Sequence, residues 1–143
     1  MTFAVNWKKI IIIRYSYPTG SMKITTKDIA TVPYGPSVIT FLHIRYIKKT
    51  FGNHIGKSML FFCEEISRIV EPNDWVWIQD YQLMLLPGML REKFPNLHIG
   101  YFQHIPFPSH ELFRILPERV EILNGLLGAD FVAFHIHDYM RHF

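Results

Sequence analysis

From Trp75 onward the chain alternates short β-branched and aromatic runs with stretches of helical length, and this rhythm restricts the fold more than any other feature. WVWI (Trp75 to Ile78) reads as a strand, LMLLPGMLREKF (Leu83 to Phe94) as a helix and HIGYFQ (His98 to Gln103) as a second strand. Helical segments follow at Glu111 to Leu116 and Pro117 to Leu127. Pro117 suits a first helical turn, and Gly128 is placed to cap the end. DFVAFH (Asp130 to His135) is a third strand, and HDYMRHF begins another helix. Strands separated by helices pair in parallel through crossover connections, so the expected class is α/β: a Rossmann-like parallel sheet flanked by helices.

Upstream the pattern is less regular. KIIIIR (residues 9–14) is a continuous β-branched run, as expected of a strand buried on both faces. Residues 15–37 carry Pro18, Gly20, Pro33, Gly35 and Pro36 and read as loop with at most a short strand. From Phe41 to Val70 the pattern is helical, with Ile55, Met59, Phe62, Ile66 and Ile69 at spacings of three and four. Gly52-Asn53 is expected to divide it into two helices, and Pro72 to end it. The sequence stops at Phe143 inside an expected helix, which reads as part of a larger domain.

A chain of 143 residues can bury one core. Its net charge of +3 comes from basic residues in scattered pairs such as Lys8-Lys9 and Lys48-Lys49, which suits a solvated surface and gives no footprint for nucleic acid. The single cysteine, Cys63, lies in an apolar stretch and reads as a buried, inert thiol. The Ile10 to Ile13 run is too short for a secretory leader, and no run approaches the ~18–20 apolar residues of a spanning helix. A soluble, cytoplasmic chain with neither membrane nor nucleic-acid partner is expected.

In open α/β sheets ligands bind beyond the carboxyl ends of the strands. Those positions hold Gln79, Asp80, Tyr81 and Gln82 after the first strand of the series, Gln103 and His104 after the second, and His135, His137 and Asp138 after the third. Asp80 can accept from sugar hydroxyls or act as a helix N-cap. His104, ahead of Pro106 and Pro108, can donate to a ligand hydroxyl or be a structural histidine. His135 and His137 could share a metal, but no third ligand is visible in the sequence, so no metal is expected. Without a Walker loop or GxGxxG, phosphate would fall to basic side chains or a helix N-terminus, and Arg14 is a candidate that also reads as a surface arginine. Asp80 and Glu111 could form a glycosidase-like carboxylate pair, although the sequence does not fix their separation.

The stretches WVWIQDYQLMLLPGMLRE and IGYFQHIPFPSHELFRILPERVEILNGLLGADFVAFHIHDYMRHF, in that order and spacing, resemble the trehalose-6-phosphate synthase family of nucleotide-sugar glycosyltransferases. The likeness runs from about Asp74 to Phe143. It implies a two-domain enzyme with a cleft between Rossmann-like halves, residues 1–143 being part of the N-terminal, acceptor-side domain, without the C-terminal nucleotide-sugar domain. It implies glucosyl transfer from UDP-glucose to glucose 6-phosphate with retention, and neither metal nor cofactor. Asp80 matches the aspartate of the family's His-Asp-Tyr-His motif in the acceptor part of the cleft, with Tyr81 beside it as a substrate-binding residue. His104 matches the histidine of HIPFP at the reacting centre, and Arg14 maps to a phosphate-contacting arginine. The chain departs from the pattern at Gln79 and Gln82, which replace histidines and cannot carry charge near neutral pH. It departs again between Tyr34 and Lys57, where VITFLHIRYIKKTF stands in place of acceptor-binding aromatic segments. With one domain only, no turnover is expected. The alternative is a non-catalytic synthase-like subunit or sugar-phosphate-binding module; a third reading is an inactive fragment that self-associates through the uncovered face.

Overall fold

The computed structural model describes residues 10–16, 21–26 and 55–143, with side chains at 10–13 and 59–143. Five strands form one sheet: β1 (Ile10–Ser16), β2 (Ser21–Thr26), β3 (Trp75–Gln79), β4 (His98–Gln103) and β5 (Phe131–Phe134), in the order β2-β1-β3-β4-β5. The β1, β3, β4 and β5 strands are parallel neighbours, while β2 returns antiparallel to β1 along one edge. That hairpin strand falls where the sequence suggested mostly loop. The segments 17–20 and 27–54, including the first helix expected between Phe41 and Gly52, lie outside the described residues.

Register separates the sheet's faces. Ile11 and Ile13 of β1, Val76 and Ile78 of β3, and Ile99 and Tyr101 of β4 align on one face, and all six are fully buried. Helix α1 (Ile55–Ile69) turns Met59, Phe62, Cys63 and Ile66 into this core. Ile69, expected to point inward, sits in the last turn and is largely exposed. Burial raises the Cys63 thiol above its ordinary value, as expected of an inert cysteine. The opposite face is aromatic. Trp75 stacks on His98 with ring centroids 5.0 Å apart, and Trp77 lies within 6.5 Å of Phe102 and 6.2 Å of Phe131. Gly100 makes this possible, because a Cβ there would stand 2.4 Å from the Trp77 ring.

Among the described residues the other helices are α2 (Leu86–Lys93), α3 (His110–Phe113), α4 (Arg119–Leu126) and α5 (His137–His142). The helix expected from Leu83 is split: a 3-10 turn covers Tyr81–Leu83, and α2 starts only at Leu86. Pro87 sets this boundary, since a residue without an N–H is accommodated only in a first turn. Pro117 does not open a helix, because buried Leu116 anchors a turn and α4 begins after Glu118. Gly128 follows α4, but close packing explains it better than capping. A Cβ at Gly128 would lie 2.5 Å from the Gly88 backbone, and one at Gly125 would lie 2.6 Å from the Met84 carbonyl. These glycines let α2 and α4 approach backbone to backbone beneath the sheet. Among the described residues no helix is long and apolar enough to cross a membrane.

Candidate functional site at the carboxyl rim of the sheet

β3, β4 and β5 end side by side, and their last residues build one rim. Asp80 follows β3 with φ 74° and ψ 163°, a region that side chains other than glycine's rarely enter. Its backbone is held there by its own N–H, which donates to the Phe102 carbonyl at 2.9 Å, so the next strand tethers the turn. The half-buried Asp80 carboxylate accepts from the Tyr81 amide at 3.1 Å and caps the 3-10 turn. Burial pushes the Asp80 carboxyl above its usual range. Opposing that, the Tyr81 amide, the His104 charge and the His104 and Ile105 amides favour its ionised form. Beneath it, the fully buried Tyr101 phenol is pushed well above its ordinary value, first by burial and then by the charge of Asp80.

His104 stands beside Asp80 on the loop after β4. Its Nε2 lies 3.0 Å from Gln79 Oε1 and its Nδ1 lies 3.2 Å from His135 Nε2. Both imidazoles rest edgewise on Phe102, at 4.7 Å and 5.1 Å between ring centroids. The loop Ile105-Pro106-Phe107-Pro108 is fixed by Phe107, which is 1% exposed and packs against Phe113, Phe134 and Phe143. Prolines on both sides of that anchor leave the backbone carrying His104 little freedom. The last turn of α5 closes the arrangement, with His142 Nδ1 3.3 Å from the Phe107 carbonyl.

The other candidates separate. Tyr81 is buried at 8% exposure, and its main-chain amide is what meets Asp80. Arg14 lies within β1 rather than past it; it pairs with Lys23 and follows Ile13, the partner of Ile78, so its backbone is level with Gln79. Its side chain is outside the described residues. Glu111 is exposed in the first turn of α3, where its own amide and the Ser109 hydroxyl hold its carboxyl below the usual range, so it serves the helix start. His135 reaches the rim, whereas His137 opens α5 at an exposed position. Among the described residues, no three His, Cys, Asp or Glu side chains gather as a metal-binding group. A cavity of about 430 Å³ lies at the other end of the sheet, beside Glu71, Asn73, Lys93 and Asn96, and contains none of these residues. Gln103, fully buried, accepts from Tyr101 Oη at 2.6 Å, and its Nε2 has no partner among the described residues.

The family model described as Glycosyltransferase family 20 matches residues 46–143, well over half of the sequence. The chain belongs to glycosyltransferase family 20. It is 49% identical over 115 residues to a UDP-forming alpha,alpha-trehalose-phosphate synthase of Pichia angusta, covering 77% of this chain and 23% of that one. Against the UDP-forming synthase A of Dictyostelium discoideum it is 52% identical over 82 residues, covering 57% and 11%. The N-terminal domain of Candida albicans trehalose-6-phosphate phosphatase superposes with a TM-score of 0.65 at 36% identity, over 73% of this chain and 24% of that one. An E. coli structure described as trehalose-6-phosphate bound with UDP-2-fluoro glucose gives 0.60 at 28% identity, over 63% and 20%. The chain spans between 11% and 24% of the length of the curated relatives it matches.

For a family 20 chain, the glutamine at position 79 is informative. The sequence presents it as a lost imidazole, yet its amide oxygen still meets His104. The sequence offers His135 as a strand-end residue and a half of a metal pair, not as a partner of His104. Its contact with His104 spans 31 residues, and no local spacing signals it.

Proposed function

We propose that this chain carries acceptor-side machinery of a trehalose-6-phosphate synthase, which moves glucose from UDP-glucose to glucose 6-phosphate with retention at the anomeric carbon. The observation that carries the reading is the pairing of Asp80 and His104 on one rim, the first on a strained backbone and half buried, the second clamped between two polar side chains. A half-buried carboxylate accepts hydrogen bonds from sugar hydroxyls strongly, because charge-assisted bonds gain in a dry site. A fixed imidazole beside it supplies a preorganised donor where charge develops during glycosyl transfer. Both His104 nitrogens are engaged, so a sugar hydroxyl that reaches it replaces one of the two contacts. Arg14, level with Gln79 on the neighbouring strand, is the basic residue proposed to meet the acceptor phosphate. The curated relatives are named as UDP-forming synthases, which favours the transferase over the non-catalytic binding module.

Donor and acceptor must be aligned and water excluded, and in this family reading a second domain does so. The isolated chain is therefore expected to release no UDP from UDP-glucose and glucose 6-phosphate. The test is a chimera in which residues 74–143 replace the matching segment of the Pichia angusta relative. Turnover is expected, and His104→Ala within it should lower kcat by about 100-fold or more, as loss of a transition-state donor does. An active chimera indifferent to that substitution would remove His104 from the chemistry.

A further inference from the structure

Gln79 Oε1 can only accept a hydrogen bond, so the His104 Nε2 that faces it at 3.0 Å carries a proton. In neutral His104 the opposite nitrogen, Nδ1, is then a bare acceptor. At 3.2 Å from it stands His135 Nε2, which must donate. Two bonds on opposite sides of one ring fix its tautomer and its plane. The Phe102 edge contacts hold both rings from below. From this geometry we infer that His135 is a positioning residue for His104, and that the two imidazoles form a clamp which can carry one extra proton between them but not two. The inference deepens the transferase reading, because orienting His104 matters to catalysis only if His104 lies at the reacting centre.

The proton count follows directly. In the neutral pair, His135 Nε2–H donates to His104 Nδ1. One added proton enters at His135 Nδ1 while the Nε2–H proton crosses to His104 Nδ1; His104 is then the imidazolium, its Nδ1–H donates back to a bare His135 Nε2, and the bond survives with its direction reversed. A second proton places two N–H groups and two positive charges face to face, and the clamp opens. The charged group facing His104 from the end of β3 is Asp80. Gln79 and Phe102 are neutral, and His137 and Asp138 follow on the segment leading into α5.

The experiment is ¹⁵N NMR of the histidine side chains in the full 143-residue chain, titrated from acid to alkaline pH. A ¹⁵N–¹⁵N coupling across the hydrogen bond between His104 and His135 is expected in the neutral and singly protonated forms and should vanish at low pH. His135→Ala should abolish it and leave the neutral His104 ring with a mixture of tautomers, read from its two ¹⁵N shifts. His135→Gln, whose amide can donate to His104 Nδ1, should restore the single Nε2–H tautomer of neutral His104. His135 is exposed, so these variants leave the core untouched, and His137→Ala should change nothing. Absence of the coupling, with His104 ¹⁵N shifts in the native chain equal to those of His135→Ala, would overturn the clamp. The readout does not depend on turnover. A clamp that holds in NMR beside an active chimera indifferent to His104→Ala would sink the transferase role alone.

Discussion

At the amino ends of β3, β4 and β5 the fold consumes its polar side chains, whereas at their carboxyl ends Asp80, His104 and His135 stand on a rim that is only partly covered. Arg91 of α2 lies at the amino end and donates to the carbonyls of Gly128, Pro95 and Leu97 and to Asp130 Oδ1, at distances from 2.6 to 3.0 Å. Asp130 accepts the Ile99 amide with its other oxygen at 2.8 Å, and Asp74 accepts the Glu71 amide at the same distance. Each of these side chains ties a loop to the strand that follows it. At the carboxyl end, Asp80 occupies a strained backbone and a raised pKa, and His104 and His135 hold each other at a solvent-facing rim. Polar groups that close local loops stabilise the fold. Polar groups held in costly conformations by neighbouring strands are set up to act on something else.

Arg91→Ala at the amino end and Asp80→Gly at the carboxyl end should therefore move stability in opposite directions. The largest effect is expected from Arg91→Ala, which removes four charge-assisted bonds and frees three loop carbonyls. A loss of about 2–3 kcal/mol is expected from the urea midpoint at an unchanged slope. A loss under about 1 kcal/mol would mean that the amino-end network is ornamental and the contrast false.

Asp80→Gly is the converse and should stabilise the chain at neutral pH by about 1 kcal/mol, because relief of backbone strain outweighs glycine's extra unfolded entropy and the lost cap. It should also flatten the pH dependence. Asp80 has a folded pKa above its unfolded value, so the folded chain holds that proton more tightly. Stability then falls as pH rises from the unfolded pKa, about 4, through the folded one. In the glycine variant that decline should shrink. Destabilisation comparable to Arg91→Ala would make Asp80 a structural residue.

The smallest effect is expected at Asn73, the other non-glycine residue with positive φ among the described residues, at 71°. It sits at the amino end, in the left-handed region that asparagine tolerates. Asn73→Gly should raise stability by a few tenths of a kcal/mol at most. A gain as large as that of Asp80→Gly would erase the distinction between tolerated turn and stored strain.

Much of the fold was legible. The strands from Trp75, His98 and Asp130 fall within a residue or two of where alternation and turn residues placed them, since each is bounded by local chemistry. Helix starts near Leu83 and Pro117 were misplaced because a proline's consequence depends on whether its neighbours must reach the core. The antiparallel β2 was barely visible, as an edge strand leaves no strong hydrophobic signature. At the rim, Asp80 and His104 could be nominated because each directly follows an apolar strand. Gln79 appeared as a loss and His135 as half of a metal site, because neither residue's partner is near it in sequence.

By itself, then, the order of residues determined a parallel α/β sheet and which of its ends would hold chemistry, since hydrophobic period and strand-end position are properties of short segments. Only the tertiary structure decided what those residues do to one another. The bonds from Gln79 and His135 to His104 cross 25 and 31 positions. They exist because three strands pair in one register, and register is settled by the whole sheet burying one face at once.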